Sequence, residues 1–173
     1  PFLTPNCRLD MAQADHFVPE GGGNRLKDND TGVWPNAIDP DSRKVDLAKF
    51  PPKSERTQDY SVFKNQKEGW YAVTNPDIGV GFGLAYPVEI FQYLWYWQVF
   101  GGGSGYPWYN RTYNVGLEPF TSLGAGIPEP GSDRRTSMIF KPGETKTATV
   151  RAMVFESKTG VSHITEEGVV TTR

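Results

Sequence analysis

The strongest pattern of apolar and polar positions in the chain is the run Tyr93–Phe100, where both alternating faces are apolar. Tyr93, Trp95, Trp97 and Val99 fall on one face, and Leu94, Tyr96, Gln98 and Phe100 fall on the other. A strand that is apolar on both faces is a central strand covered on both sides, which requires two stacked sheets. Further strand-like runs occupy residues 60–63, 70–74, 80–85, 113–118 and 145–155. In the last of these, Ala148, Val150, Ala152 and Val154 share one face, with Thr147, Thr149 and Arg151 on the other. Residues 7–11 alternate modestly and read as a short strand. Asn75-Pro76-Asp77 and Lys141-Pro142-Gly143 carry turn chemistry between strands.

Two stretches lack this pattern. Residues 19–54 are polar and broken by Gly21-Gly22-Gly23, Trp34-Pro35 and Pro51-Pro52. They read as a long surface excursion outside the sheets, with one turn of helix at 45–49. Residues 156–173 are polar and read as a loose tail. The expected fold is all-β, part of a large antiparallel β-sandwich, with residues 1–155 in one domain and 156–173 outside it. No internal repeat or heptad is present.

Composition narrows the functional classes. At 173 residues the chain can bury one good core. Its 18 basic and 20 acidic residues are nearly balanced, and no basic stripe tracks a phosphate backbone, so nucleic acid is not an expected partner. The greasiest run, residues 88–100, contains Glu89, Gln92 and Gln98 and is too short to span a bilayer, so no membrane partner is expected either. Cys7 is the only cysteine; it excludes an intrachain disulfide and fits a reducing, cytoplasmic compartment. No signal-peptide pattern opens the chain. Its start, Pro1-Phe2-Leu3-Thr4, reads as the middle of a structured segment, the expectation for a processed chain or a piece of a longer protein.

The candidate chemistry lies in residues 93–122, which are dense in Trp and Tyr, interrupted by one glycine run, and carry a single acid, Glu118. Aromatic rings with polar tips suit a cleft for a polyhydroxylated ring. A carboxylate desolvated in such a lining rises in pKa and can act as a general base or acid near neutral pH. The plainer alternative is that the aromatics are core and Glu118 is a surface acid at a strand end. Other motifs fail. The run Gly101-Gly102-Gly103-Ser104-Gly105 lacks the Lys-Ser/Thr and helix of a phosphate cradle and reads as a tight, close-packed turn. His16 and His163 have no metal-ligand spacing with each other or with Cys7. Ser104 and Ser122 lack a nucleophile-elbow frame.

In order and spacing these segments resemble the C-terminal half of the galactose mutarotase-like (aldose 1-epimerase) superfamily. Arg56-Thr57-Gln58-Asp59-Tyr60-Ser61-Val62 resembles the segment in which an Asp precedes an aromatic strand. Ala72-Val73-Thr74-Asn75-Pro76-Asp77-Ile78-Gly79-Val80 resembles the following hairpin. Residues 94–100 resemble the central strand lining the sugar cleft, and Val115-Gly116-Leu117-Glu118-Pro119 the strand that presents the catalytic glutamate. Phe140-Lys141-Pro142-Gly143-Glu144-Thr145 resembles the turn before the last strand. The resemblance spans roughly residues 1–155.

It implies an isomerase that interconverts the anomers of a monosaccharide or sugar derivative, with no metal or nucleotide cofactor. Glu118 is then the base. Asp59 and Arg111 hold ring hydroxyls, Gln98 joins them, and Trp97 or Trp108 packs on the apolar face of the sugar. The family acid is a histidine upstream of the matched region. Neither His16 nor His163 stands at its position, so the acid is expected from a segment absent from this chain. The continuation Pro119-Phe120-Thr121-Ser122 departs from ordinary galactose mutarotases and opens the question of sugar preference. The aromatic strands also need a cover, expected from a missing N-terminal segment or a second copy. The alternative is a non-catalytic carbohydrate-binding or structural β-sandwich.

Overall fold

In the computed structural model, which describes residues 2–124 and 136–173, strands dominate and the one helical element is a 3₁₀ turn at Lys53–Glu55. The strands in chain order are β1 (Arg8–Met11), β2 (Asp15–Phe17), β3 (Thr31–Val33), β4 (Asn36–Ile38), β5 (Lys44–Asp46), β6 (Thr57–Lys64), β7 (Trp70–Asn75), β8 (Val80–Ala85), β9 (Tyr93–Phe100), β10 (Tyr113–Phe120), β11 (Arg151–Glu156), β12 (Val161–Ile164) and β13 (Val170–Thr172). They form a five-stranded sheet in the order β10-β9-β6-β2-β3 and a four-stranded sheet in the order β1-β7-β8-β11. Two short hairpins, β4-β5 and β12-β13, complete the set. All pairings between these strands are antiparallel.

The two larger sheets stack, so the fold is the expected all-β sandwich. Leu9, Met11, Tyr71 and Val73 of the four-stranded sheet share one buried cluster with Phe63, Leu94, Tyr96 and Phe100 of the five-stranded sheet. The doubly apolar strand Tyr93–Phe100 lies inside its sheet between β10 and β6. Its even-numbered residues face this core, because they are the ones burial removes completely: Leu94, Tyr96, Gln98 and Phe100 are all 0 % exposed. The sheets are tied where Tyr71 of β7 donates its hydroxyl hydrogen to the Leu117 carbonyl of β10, at 3.1 Å.

Four expectations need correction. Residues 19–54 do not lie outside the sheets. β3 is an edge strand of the five-stranded sheet, and Leu26, Ala37, Leu47 and Phe50 belong to the main core cluster. Their spacing follows no period because loops and the three-residue strand β4 deliver them. Phe50 packs on Phe100 with centroids 5.2 Å apart, and Trp34 on Phe63 at 5.4 Å, so the excursion covers the core-facing side of β6 and β9 from one end of their ladder to the other. The helical turn expected at 45–49 is instead the end of β5 and a following turn.

Residues 156–173 are not a loose tail. β12 and β13 form a hairpin on the outer face of the four-stranded sheet, where Val161 and Ile164 join Trp70, Ala72 and Ala85 in a second cluster. Gly83 makes room for it, since a Cβ there would come within 2.8 Å of Ile164 Cδ1. The buried Asp10 carboxylate fastens the hairpin by accepting from the Val161 amide at 3.0 Å and from Arg173 at 2.9 Å.

The strand expected at 145–155 is paired only over Arg151–Glu156. β8 ends at Ala85, opposite Arg151, so residues before 151 have no ladder partner on that side.

Candidate functional site

The register of β6, β9 and β10 decides which side chains meet. Tyr60 pairs with Trp97, Trp97 with Gly116, and Trp95 with Glu118. Side chains at paired positions stand on one face. Tyr60, Trp95, Trp97, Glu118 and Phe120 therefore share the outer face of the five-stranded sheet. Asp59 and Gln98, also paired, share the opposite, core-facing side.

On the outer face the rings make a continuous platform. Trp95 stacks on Phe120 with centroids 3.7 Å apart and planes 1° from parallel. Tyr60 meets Trp95 edge-on at 5.7 Å. Trp108 folds back from the 101–112 loop to meet Trp97 at 5.2 Å. That loop is pinned by the Asn110 side-chain amide, which donates to the Gly101 and Gly102 carbonyls, each at 2.7 Å. Its glycine run is close-packed against β6, with the Gly103 amide donating to Gln58 Oε1 at 2.9 Å. Tyr106 and Tyr109 project from its tip, 85 % and 55 % exposed.

Glu118 is half-buried within this platform. Gly116, two residues earlier on the same face, leaves the space its carboxylate occupies. A Cβ at 116 would lie 2.5 Å from Glu118 Oε1 and 3.5 Å from Trp97 Cε3, so the carboxylate rests over Gly116 beside the Trp97 ring. Its charge is felt on both sides. Burial first, and then the Glu118 carboxylate, raises the Tyr60 phenol, and the same two causes push Tyr71 up to about 12. A cavity of about 400 Å³ lies between the loop at Gly21–Asn24 and the loop at Gly102–Ser104, with Gln58 and Arg56 in its wall and none of the platform rings lining it.

Three expected sugar contacts sit elsewhere. Asp59 is 0 % exposed. One of its oxygens accepts from the Arg25 and Leu26 amides at 2.9 and 3.0 Å, and the other from Arg25 Nε at 3.0 Å. Gln98, equally buried, accepts from the same guanidinium at 2.7 Å. The pair anchors the 21–26 loop from inside the sandwich, because a buried charge persists only when paired and hydrogen-bonded. Arg25, which sequence reasoning missed, is the cation that does this; nothing local marks it. Arg111 is exposed and precedes β10, on the order of 20 Å of strand from Glu118. The structure thus brings together Glu118, Trp97 and Trp108, adds Tyr60 and Trp95, and leaves Asp59, Gln98 and Arg111 apart from them.

Compared with protein-family models, curated proteins and solved structures, the chain matches none.

Neither histidine approaches the platform. His16 is buried in β2 with Nε2 3.0 Å from Asp30, and His163, in β12 of the C-terminal hairpin, pairs with Glu68 at 3.3 Å beside Trp70. Among the described residues no group of three His, Cys, Asp or Glu side chains could hold a metal ion, and no helix is long and apolar enough to cross a membrane.

Proposed function

We propose that the outer aromatic face is a carbohydrate site of the aldose 1-epimerase type, with Glu118 as its base. The observation that carries this reading is the Glu118 carboxylate held over Gly116 against Trp97, inside a platform of Tyr and Trp rings. Ring faces of this kind pack on the C–H side of a sugar, and their polar tips hydrogen-bond its hydroxyls. The carboxylate takes the proton of the anomeric hydroxyl while an acid protonates the ring oxygen. The ring opens to the aldehyde, C1 rotates, and closure gives either anomer. The acid is supplied by a histidine-bearing segment outside this chain, since His16 and His163 both stand away from the face.

That same distance favours a second reading for the chain by itself, a site that binds sugar without turning it over. One experiment separates the two. Tryptophan fluorescence and NMR shifts are followed as free aldoses are added, and exchange NMR then follows anomer interconversion with and without the preceding segment. The epimerase reading expects binding in both cases and interconversion only with the segment, lost by ~10²–10⁴-fold in Glu118→Gln. Binding without interconversion in either case leaves the second reading. No binding to the aromatic face ends both.

A further inference from the structure

The cavity between the loops at Gly21–Asn24 and Gly102–Ser104 is built on Gln58. The backbone of Gln58 holds one wall. Its carbonyl accepts from the Asn24 amide at 2.9 Å, and its own amide donates to Asn24 Oδ1 at 2.9 Å. Its side chain holds the other wall, because Oε1 accepts from the Gly103 amide at 2.9 Å. Glycine lets both walls come this close. A Cβ at Gly23 would strike the Gln58 carbonyl oxygen, and one at Gly102 would lie 2.5 Å from Gln58 Cβ. The Asp59–Arg25 pair fixes the first loop from inside the sandwich, and the Asn110 side chain fixes the second. The cavity is therefore preformed. Its volume of about 400 Å³ falls within the range of small-ligand sites.

Fixing the walls spends some polar atoms and leaves others. Asn110 Nδ2 donates to the Gly101 and Gly102 carbonyls, so Oδ1 is left to accept. Gln58 Oε1 is taken, so Nε2 is left to donate. Ser104 is exposed beside them. Arg56 is the only charged residue of the lining. It is exposed, and among the described residues no carboxylate pairs with it. Its backbone stands in the left-handed region, with a φ of 52°, where glycine would sit at less cost. The Asn24 side chain steadies it there by donating to the Arg56 carbonyl at 3.0 Å. The lining holds no aliphatic or aromatic side chain, so nothing in it favours an apolar ligand.

We propose that this cavity binds a sugar acid, a hydroxylated ring that carries a carboxylate. The Arg56 guanidinium takes the carboxylate through paired N–H donors matched to its two oxygens. Gln58 Nε2 donates to a ring oxygen, Asn110 Oδ1 accepts from a hydroxyl, and Ser104 does either. A neutral sugar leaves the cation unanswered, and phosphate brings the charge without the array of hydroxyls. The cavity lies at the Phe100 end of β9. Thr121 and Met138, which bracket residues 125–135, are joined at the Tyr93 end, where the Met138 amide donates to the Thr121 carbonyl at 3.2 Å. This inference does not rest on the reading of the outer face, whose rings line no part of the cavity.

An NMR titration of the chain with sodium glucuronate tests it, with glucose and inorganic phosphate as comparison ligands. Amide shifts are expected at Gly22, Gly23, Gly103 and Ser104, with glucuronate binding roughly tenfold or more tighter than either comparison ligand. Arg56→Gly removes the cation and suits the left-handed backbone, so it keeps the fold and weakens glucuronate by a similar factor. Lys27→Gln removes an equal charge from an exposed residue outside the cavity and leaves the affinity unchanged. Glucose binding as tightly as glucuronate would deny Arg56 its role, and phosphate doing so would make the cavity a plain anion hole. Either result overturns the proposal. So does binding that survives Arg56→Gly, and so does an absence of shifts at the cavity amides.

Discussion

Asp59 and Glu118 stand on opposite faces of one sheet. The β6-β9 register sets Asp59 against Gln98, and the β9-β10 register sets Glu118 against Trp95, so one carboxylate points into the sandwich and the other out of it. They serve different ends. Asp59 accepts three hydrogen bonds that hold the 21–26 loop, and Glu118, among the described residues, accepts none.

Asp59→Ala is expected to act on stability. It leaves the Arg25 guanidinium and two amides without their acceptor in a buried setting, a loss of about 3–5 kcal/mol. Urea denaturation measures it. A variant that melts like the parent but binds sugar poorly would return Asp59 to the site.

Gly116→Ala probes Glu118 without touching its charge. The added methyl takes the place of the carboxylate, which must swing away from Trp97. On the epimerase reading, and with the acid-bearing segment that it calls for, anomer interconversion is expected to fall by at least tenfold with little change in melting temperature. Interconversion at the parent rate would show that the position of the carboxylate over Gly116 is irrelevant to the chemistry.

Much of this architecture is legible in the sequence, and the reason is periodicity. Tyr93–Phe100 and Val80–Ala85 declare themselves because each residue position carries a face assignment. The short strands Asp15–Phe17, Thr31–Val33 and Asn36–Ile38 do not, since three residues cannot establish a period and these exist only through their partners. Val161 and Ile164 are two apolar residues in a polar stretch, and only the second cluster gives them meaning. Which residues the candidate site brings together was only half legible for a related reason. Alternation assigns faces within a strand, but whether Asp59 and Glu118 share a face depends on register between strands. A slip of one residue reverses that outcome, and no local signal fixes it.

The C-terminal hairpin should contribute to the core as an element of the domain. Ile164 is 2 % exposed and packs over Gly83. Ile164→Ala is expected to cost about 2–5 kcal/mol through lost burial and the cavity left behind. Equal stability of variant and parent in chemical denaturation would mark the hairpin as an appendage.

Alkaline conditions should unfold the chain by way of its buried phenols. Burial, and secondarily the Glu118 charge, pushes Tyr71 up to about 12, and burial, the largest cause, does the same for Tyr113. Below the ordinary tyrosine value near 10 both phenols are neutral in folded and unfolded chains, so their contribution is fully present. Between about 10 and 12 the unfolded chain gives up these protons while the folded chain keeps them. The unfolded state is favoured increasingly as pH rises through that window, and the contribution is gone once the folded values are passed. Unfolding free energy measured at pH 8, 10 and 11.5 should be flat over the first interval and fall over the second. Tyr71→Phe should lower stability at pH 8 by about 1 kcal/mol, through the lost hydrogen bond to Leu117, and should make the alkaline fall shallower. The sign is the test: a Tyr71→Phe variant whose stability falls more steeply than the parent's above pH 10 would mean that the Tyr71 phenol is not the group resisting ionisation between the sheets.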